Sequence, residues 1–341
     1  AAAAAAPAAD APPFTFLAMG DWGGKSSFPY TTAAQVATAR GMARVASAHD
    51  ARMVLAIGDN FYTDGIPTNA SDERFHYTFE KVYTDAALHV PWYLVAGNHD
   101  HHAQGNITAE LAYSARSHRW HFPALWYTFG ASFLDAARRN VTIDFVMFDS
   151  IVLSGKWDNH EAQPVAATVD AALADEQYAW LERTMAASRA DWLLVAAHYP
   201  VYSIAEHGPT KVLIDKVEPL LRKYGAALYM CGHDHNLQHL VHDGVNYVLT
   251  GAAHNIDPST VHKDAVPAQS LKFHWGPAGA AADTTYETLA DGRVLATNNA
   301  NGGFASLDVH DADKLDVYYW SQDAELLYST TVANPRAAAR G

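Results

Sequence analysis

Short apolar runs alternate along this chain with longer polar, helix-like stretches, and many of the apolar runs end alike. Phe14 to Met19 leads into Gly20-Asp21-Trp22-Gly23-Gly24, and Met53 to Ile57 into Gly58-Asp59-Asn60-Phe61-Tyr62. Tyr93 to Ala96 leads into Gly97-Asn98-His99-Asp100-His101, and Trp192 to Ala197 ends at His198-Tyr199-Pro200. Leu228 to Met230 precedes Cys231-Gly232-His233-Asp234-His235-Asn236. Short apolar runs bounded by glycine read as buried strands, with the polar cluster on the turn that leaves each one. Val141–Phe148 predicts a further strand, in which Val141, Ile143, Phe145 and Met147 share a face opposite Thr142 and Asp144. Val245–Leu249, β-branched at its start, predicts another. Helix-like segments lie between: an Ala-rich stretch over 32–49, and 170–188 with Leu173, Leu181 and Met185 on one side. A third, 215–224, sets Val217, Leu220, Leu221 and Tyr224 at i, i+3, i+4 and i+7, with Gly225 as its cap. Strands alternating with helices predict an α/β sheet with helices outside.

The chain has 341 residues, 49% of them apolar and 18% charged, which is globular and ample for a large core. No composition shift divides residues 14–332, so one domain is expected there. Residues 1–13, rich in Ala and Pro, read as a disordered stub, and 333–341 as a similar Ala/Arg tail. Residues 276–303, dominated by Gly, Ala, Thr and Asn, read as a surface excursion. No run is long and apolar enough to span a bilayer. A net charge of −14 argues against nucleic acid as a partner, while the 19 histidines would make the chain net positive if all were protonated. An anionic substrate therefore approaches more easily at acid pH. Cys231 is the single cysteine, so no intramolecular disulfide forms, and after an apolar run it reads as a buried free thiol. Sequons at Asn69, Asn106 and Asn140 point to a glycosylated protein, secreted or lysosomal, with Asn106 the leading acceptor.

In α/β sheets functional groups gather at the carboxyl ends of strands. Such ends here carry Asp21, Asp59 with Tyr62, Asn98 with His99, His198, and His233 with His235. Singly, each is as compatible with a cap, a turn or a hydrogen-bonded loop residue as with a ligand. Their recurrence at equivalent places favours convergence. Carboxylates, a phenol, an amide and three imidazoles are too many ligands for one tetrahedral zinc. They suit two ions that share a carboxylate, as in two-metal hydrolases.

Those five motifs, with His198-Tyr199-Pro200-Val201-Tyr202-Ser203 as the fourth, resemble the calcineurin-like metallophosphoesterases. More closely, they are similar to the small, tartrate-resistant purple acid phosphatases, over about residues 14–275 and again near Gly302-Gly303-Phe304. Tyr62, three residues after Asp59, discriminates within the wider superfamily. The resemblance implies a four-layer α-β-β-α sandwich of two mixed sheets flanked by helices, with a dinuclear centre at one edge. It implies that Asp21, Tyr62 and His235 hold Fe(III), that Asn98, His198 and His233 hold divalent iron, zinc or manganese, and that Asp59 bridges. Hard anionic donors suit the ferric ion, and neutral imidazoles with an amide suit the divalent one. On the same resemblance His99, Glu206 and His207 line the substrate side, with His99 protonating the leaving alkoxide. Asp100 and Asp234 are expected to orient neighbouring imidazoles; Asp149, Trp22 and His101 are read as structural.

Three departures accompany the likeness. Ser154 and Val212 stand where relatives carry a cysteine pair, the segment Gly155–Ala167 differs from their protease-sensitive loop, and Ala253-His254 replaces their Gly-Asn. The implied activity is acid hydrolysis of phosphate monoesters, on small phosphorylated substrates or phosphoproteins, by direct attack of hydroxide. An iron-dependent redox or peroxidative protein and a phosphodiesterase are the alternatives.

Overall fold

The apolar runs become the middles of two sheets. In the computed structural model, residues 12–102, 105–154, 171–277, 286–288, 294–296 and 301–337 are described. Strands β1 (Phe14–Met19), β2 (Val54–Ile57), β3 (Trp92–Val95), β4 (Trp120–His121) and β5 (Tyr127–Leu134) open the chain. They are followed by β6 (Asn140–Met147), β7 (Trp192–Ala196), β8 (Leu228–Cys231), β9 (Leu237–His242), β10 (Val245–Thr250) and β11 (Leu271–Trp275). A two-stranded ribbon, β12 (Tyr286–Thr288) with β13 (Val294–Ala296), precedes β14 (Gly303–Val309), β15 (Lys314–Ser321) and β16 (Leu326–Ala333). One sheet runs β16-β15-β14-β1-β2-β3-β4 and the other β11-β9-β10-β8-β7-β6-β5. The first has a parallel half, β1 to β4, with antiparallel strands on the β14 side, and the second a parallel centre, β10, β8, β7 and β6, with antiparallel strands on both sides.

Alternation along the central strands fixes the layers. Phe14, Phe16 and Ala18 of β1 join Trp192, Leu194 and Ala196 of β7 in one core between the sheets. Leu17 and Met19 turn the other way, towards Met42 and Val45 of α1 (Ala33–His49). Leu193 and Val195 turn outward too, towards Leu181 and Leu221. These belong to α4 (Ala171–Ala187) and α6 (Glu218–Tyr224); the remaining helices are α2 (Ile107–Tyr113), α3 (Ser150–Ser154) and α5 (Lys211–Lys216). The fold is thus the expected sandwich of two mixed sheets with helices outside.

Three expectations change. The helix over 215–224 is two helices that meet at Val217, because Pro219 lacks the N–H that would continue the ladder; Gly225 does cap the second, at φ 66°. Strands β4, β5, β9, β11 and β14 to β16 lie outside the predicted set. The tail does not begin at 333, since β16 ends there and Asn334 and Arg336 go on to bind the carbonyls of Asp191, Ala312, Tyr224 and Ala190. Segment 155–167 and most of 276–303 lie outside the described residues. Cys231 is free and buried. Among the described residues no helix is long and apolar enough to cross a membrane.

Candidate metal centre

The carboxyl ends of β1, β2, β3, β7, β8 and β10 meet at one place. There Asp21, Asp59 and His233 adopt φ of 56°, 52° and 71°, a left-handed conformation that costs free energy for any residue with a side chain. The loops also approach too closely for a Cβ at two points: one built on Gly97 would run into Asp59 Oδ1, and one on Gly232 into Asp21 Oδ2.

Four donors face one another on the first side. Tyr62 Oη lies 3.0 Å from Asp21 Oδ1, 3.0 Å from Asp59 Oδ2 and 3.0 Å from His235 Nε2. His235 Nε2 is also 3.4 Å from Asp21 Oδ1. A phenol has one proton, so it satisfies only one of these neighbours. The remaining lone pairs point at each other in a buried setting, which is the arrangement a cation organises; the donor set therefore fits a metal ion.

Asp59 serves both sides. Its Oδ1 lies 3.4 Å from His198 Nε2, which is itself 3.0 Å from Asn98 Oδ1. His198 donates Nδ1–H to the Ile57 carbonyl at 2.9 Å, which turns Nε2 towards Asn98 and Asp59. The His233 ring sits 5.1 Å from the His198 ring, and its backbone N–H donates to Asp21 Oδ2 at 2.8 Å. All seven expected ligands are thus brought together.

Charge in the cluster is strongly coupled. Burial, and then the Asp21 and Asp59 carboxylates, push the Tyr62 phenol well above its ordinary value. Burial alone would raise Asp59, but His198 and His99 hold it well below the usual carboxylate range. Burial alone would lower His198, but Asp59 and Asp21 bring it up to about 10. The imidazoles supply positive charge that the carboxylates otherwise lack.

His99 points Nδ1 at the Thr63 carbonyl, 2.6 Å away, and its Nε2 lies 3.9 Å from Asp59 Oδ2 on the partly open side. His207 stacks on His233 with ring centres 4.1 Å apart, and Glu206 is exposed on the same loop. Asp100 and Asp234 do not orient imidazoles. Asp100 instead accepts the backbone N–H groups of Asn60, Phe61 and Gly97, locking the β2 and β3 turns together. Asp234 accepts from the Ser203 hydroxyl and the N–H groups of His207 and Gly208. The Thr63 and Ile57 carbonyls orient the His99 and His198 rings. His101 and Asp149 form a buried pair at 2.6 Å, and Trp22 donates to Asn60 Oδ1 at 3.0 Å. Sequence reasoning gave no role to His254, whose ring lies 4.2 Å from that of Tyr62 at 28°.

The profile of the Calcineurin-like phosphoesterase family matches residues 14–237. The tartrate-resistant acid phosphatase type 5 of Mus musculus is 38% identical over 330 residues, covering 96% of this chain and 93% of the relative. That of Homo sapiens is 40% identical over 329 residues, covering 96% and 92%. Among solved structures, GAP50, the anchor in the inner membrane complex of Plasmodium, superposes with a TM-score of 0.73 at 18% identity, over 95% of this chain and 90% of its own. That last likeness speaks to the fold alone.

Proposed function

This chain belongs to the calcineurin-like phosphoesterase family, and from that premise we propose how its residues work as a dinuclear-metal acid phosphatase. Asp21, Tyr62 and His235 would hold a ferric ion, and Asn98, His198 and His233 a divalent iron, zinc or manganese ion, with Asp59 shared. Such a pair would supply Lewis acidity towards the phosphoryl oxygens and would lower the pKa of water.

The protein's own part is orientation and proton delivery. Asp59 gives one oxygen to each side, so loss of its charge would loosen both. The Thr63 carbonyl fixes His99 with Nδ1 protonated, which leaves Nε2 to present a proton to the departing oxygen when the ring is charged. That role needs acid pH. Glu206 and His207 would contact the organic part of the ester. Small phosphorylated molecules or phosphoproteins are the substrate class, and a secreted or lysosomal site is supported by the sequons. Asn106 is the leading acceptor, with the exposed Asn69 and Asn140 as further ones.

The observation that carries this reading is the convergence on Tyr62 Oη of Asp21, Asp59 and His235, each at 3.0 Å. A phenolate on Fe(III) absorbs visible light, so iron-loaded protein should be violet or pink and Tyr62→Phe colourless. Metal analysis combined with a pH–rate profile on aryl phosphate monoesters and diesters tests the rest. A colourless oxidised wild type carrying iron would remove Tyr62 from the ligand set, and faster turnover of diesters would make the chain a phosphodiesterase.

A further inference from the structure

The turn after β10 brings a residue against the proposed ferric side that the ligand set does not use. His254 is only 4% exposed. Its backbone N–H and its Nδ1 both reach the Asp21 carbonyl, at 3.1 and 2.8 Å. The imidazole lies nearly parallel to the Tyr62 ring, 4.2 Å between centres and 28° between planes, and edge-on to His235 at 5.4 Å. The turn is itself anchored, because Thr32, the residue that caps α1, donates its hydroxyl to the His254 carbonyl at 3.1 Å. One side chain therefore touches three of the four residues proposed to surround the ferric ion.

We propose that His254 is a positioning residue for that ion: its ring covers one face of the Tyr62 phenol while its Nδ1–H holds the Asp21 loop. This rests on the reading of Tyr62 as an iron ligand. Ligand-to-metal charge transfer depends on overlap between the phenolate oxygen and the metal, and hence on how the phenol ring is turned. A ring held against His254 has one rotation; a ring facing a cavity has several. Parallel contact and a hydrogen bond to a carbonyl each change an equilibrium by about threefold to tenfold.

The test compares iron-loaded wild type with His254→Ala, His254→Asn and His254→Phe. It reads the visible absorption band, the rate of iron loss to a chelator, and the circular-dichroism melting curve. His254→Ala and His254→Asn, which cannot stack, should shift or broaden the band and lose iron about tenfold faster. His254→Phe keeps the ring contact but not the Asp21 link, so its band should stay near that of wild type while iron loss quickens by about threefold. Should the alanine variant fail to fold, the asparagine and phenylalanine variants decide by the same criterion. An unchanged band in the folded, coloured asparagine variant overturns the proposal and leaves the ligand reading intact. A colourless wild type removes that reading, and this inference with it.

Discussion

Two groups of buried carboxylates lie side by side, and they are satisfied in opposite ways. Asp100, behind the centre, takes backbone N–H groups from Asn60, Phe61 and Gly97, and Asp149 takes those of Ile151 and Val152 plus the His101 ring. Asp21 and Asp59, at the centre, each have one oxygen tied by a backbone N–H, from His233 and His99 respectively. Their other oxygens face the Tyr62 hydroxyl, which has a single proton to give, and the longer contacts of His235 and His99 Nε2. A buried carboxylate with a full set of donors needs no ion; one left facing other acceptors does. The first group builds the fold, and the second stores demand for a cation.

The sharpest way to break this contrast is Asp59→Asn. The amide keeps the shape but removes the charge that both sides share. Turnover should fall by at least about 10³-fold, more than the roughly 10–100-fold typical of groups that only support a ligand. Metal content should drop while the circular-dichroism spectrum stays native. Full metal occupancy in the variant would show that Asp59 is not shared. His99→Ala should cost about 10²-fold, with metal retained, because general acids are worth about 10²–10⁴-fold. The loss should shrink on esters whose leaving groups need no proton, so a loss that is the same on every leaving group would refute the role.

Asp100→Asn probes the other group. Its amide brings N–H towards N–H donors, so the damage should fall on folding: about 1–3 kcal/mol by denaturant titration, the scale of buried donors left without an acceptor. Refolded, metal-loaded enzyme should keep its turnover within about tenfold. A collapse in turnover at unchanged stability would move Asp100 from the scaffold into the chemistry.

The centre was legible because its strands are. β1, β2, β7 and β8 are buried on both faces, so they read as apolar runs, broken only by Thr15, that stop abruptly at Gly-Asp, Gly-His or histidine. The antiparallel flanks carry a weaker signal. β5 alternates half-buried with exposed residues, and β16 reads Leu326 to Ala333 through Ser329, Thr330 and Thr331. Such stretches resemble loops unless the partner strand is known. The contact of His254 with Tyr62 was illegible for another reason: ring orientation depends on how two distant turns meet. The donors to Asp100, and all but the Ser203 hydroxyl among those to Asp234, are backbone amides, which no side-chain pattern reveals.

The smallest expected effect lies far from the centre and extends the contrast to histidine. His239 in β9 is buried, with Nε2 3.1 Å from Asn246 Oδ1 and Nδ1 3.2 Å from Tyr328 Oη. Nε2–H donates to the amide and the tyrosine hydroxyl donates to Nδ1, so both nitrogens are satisfied in the neutral form. Burial pushes the ring below its ordinary value; the bond to Asn246 opposes this, and Lys272 adds to it. The unfolded chain titrates this group at about 6.5, where the folded one still refuses the proton. The stability it contributes is therefore complete above that pH and is lost as pH falls from there towards the folded value, by at most about 1.4 kcal/mol per pH unit. A histidine that titrates alike in the folded and unfolded chain gives no such slope, whereas this one gives it in the pH range where an acid phosphatase works. His239→Gln keeps an amide for Asn246 and Tyr328 and removes the titration. At about pH 7.5 the variant should be the less stable by about 1 kcal/mol, the usual worth of a buried hydrogen bond, and by about pH 5 the gap should close or reverse. Urea unfolding of both proteins at the two pH values measures it, since contributions from metal binding are common to both and cancel in the difference. A gap that is constant or widens towards acid would mean that the folded protein accepts the proton on His239, and that this buried ring belongs with the centre's charged imidazoles instead of with the satisfied scaffold.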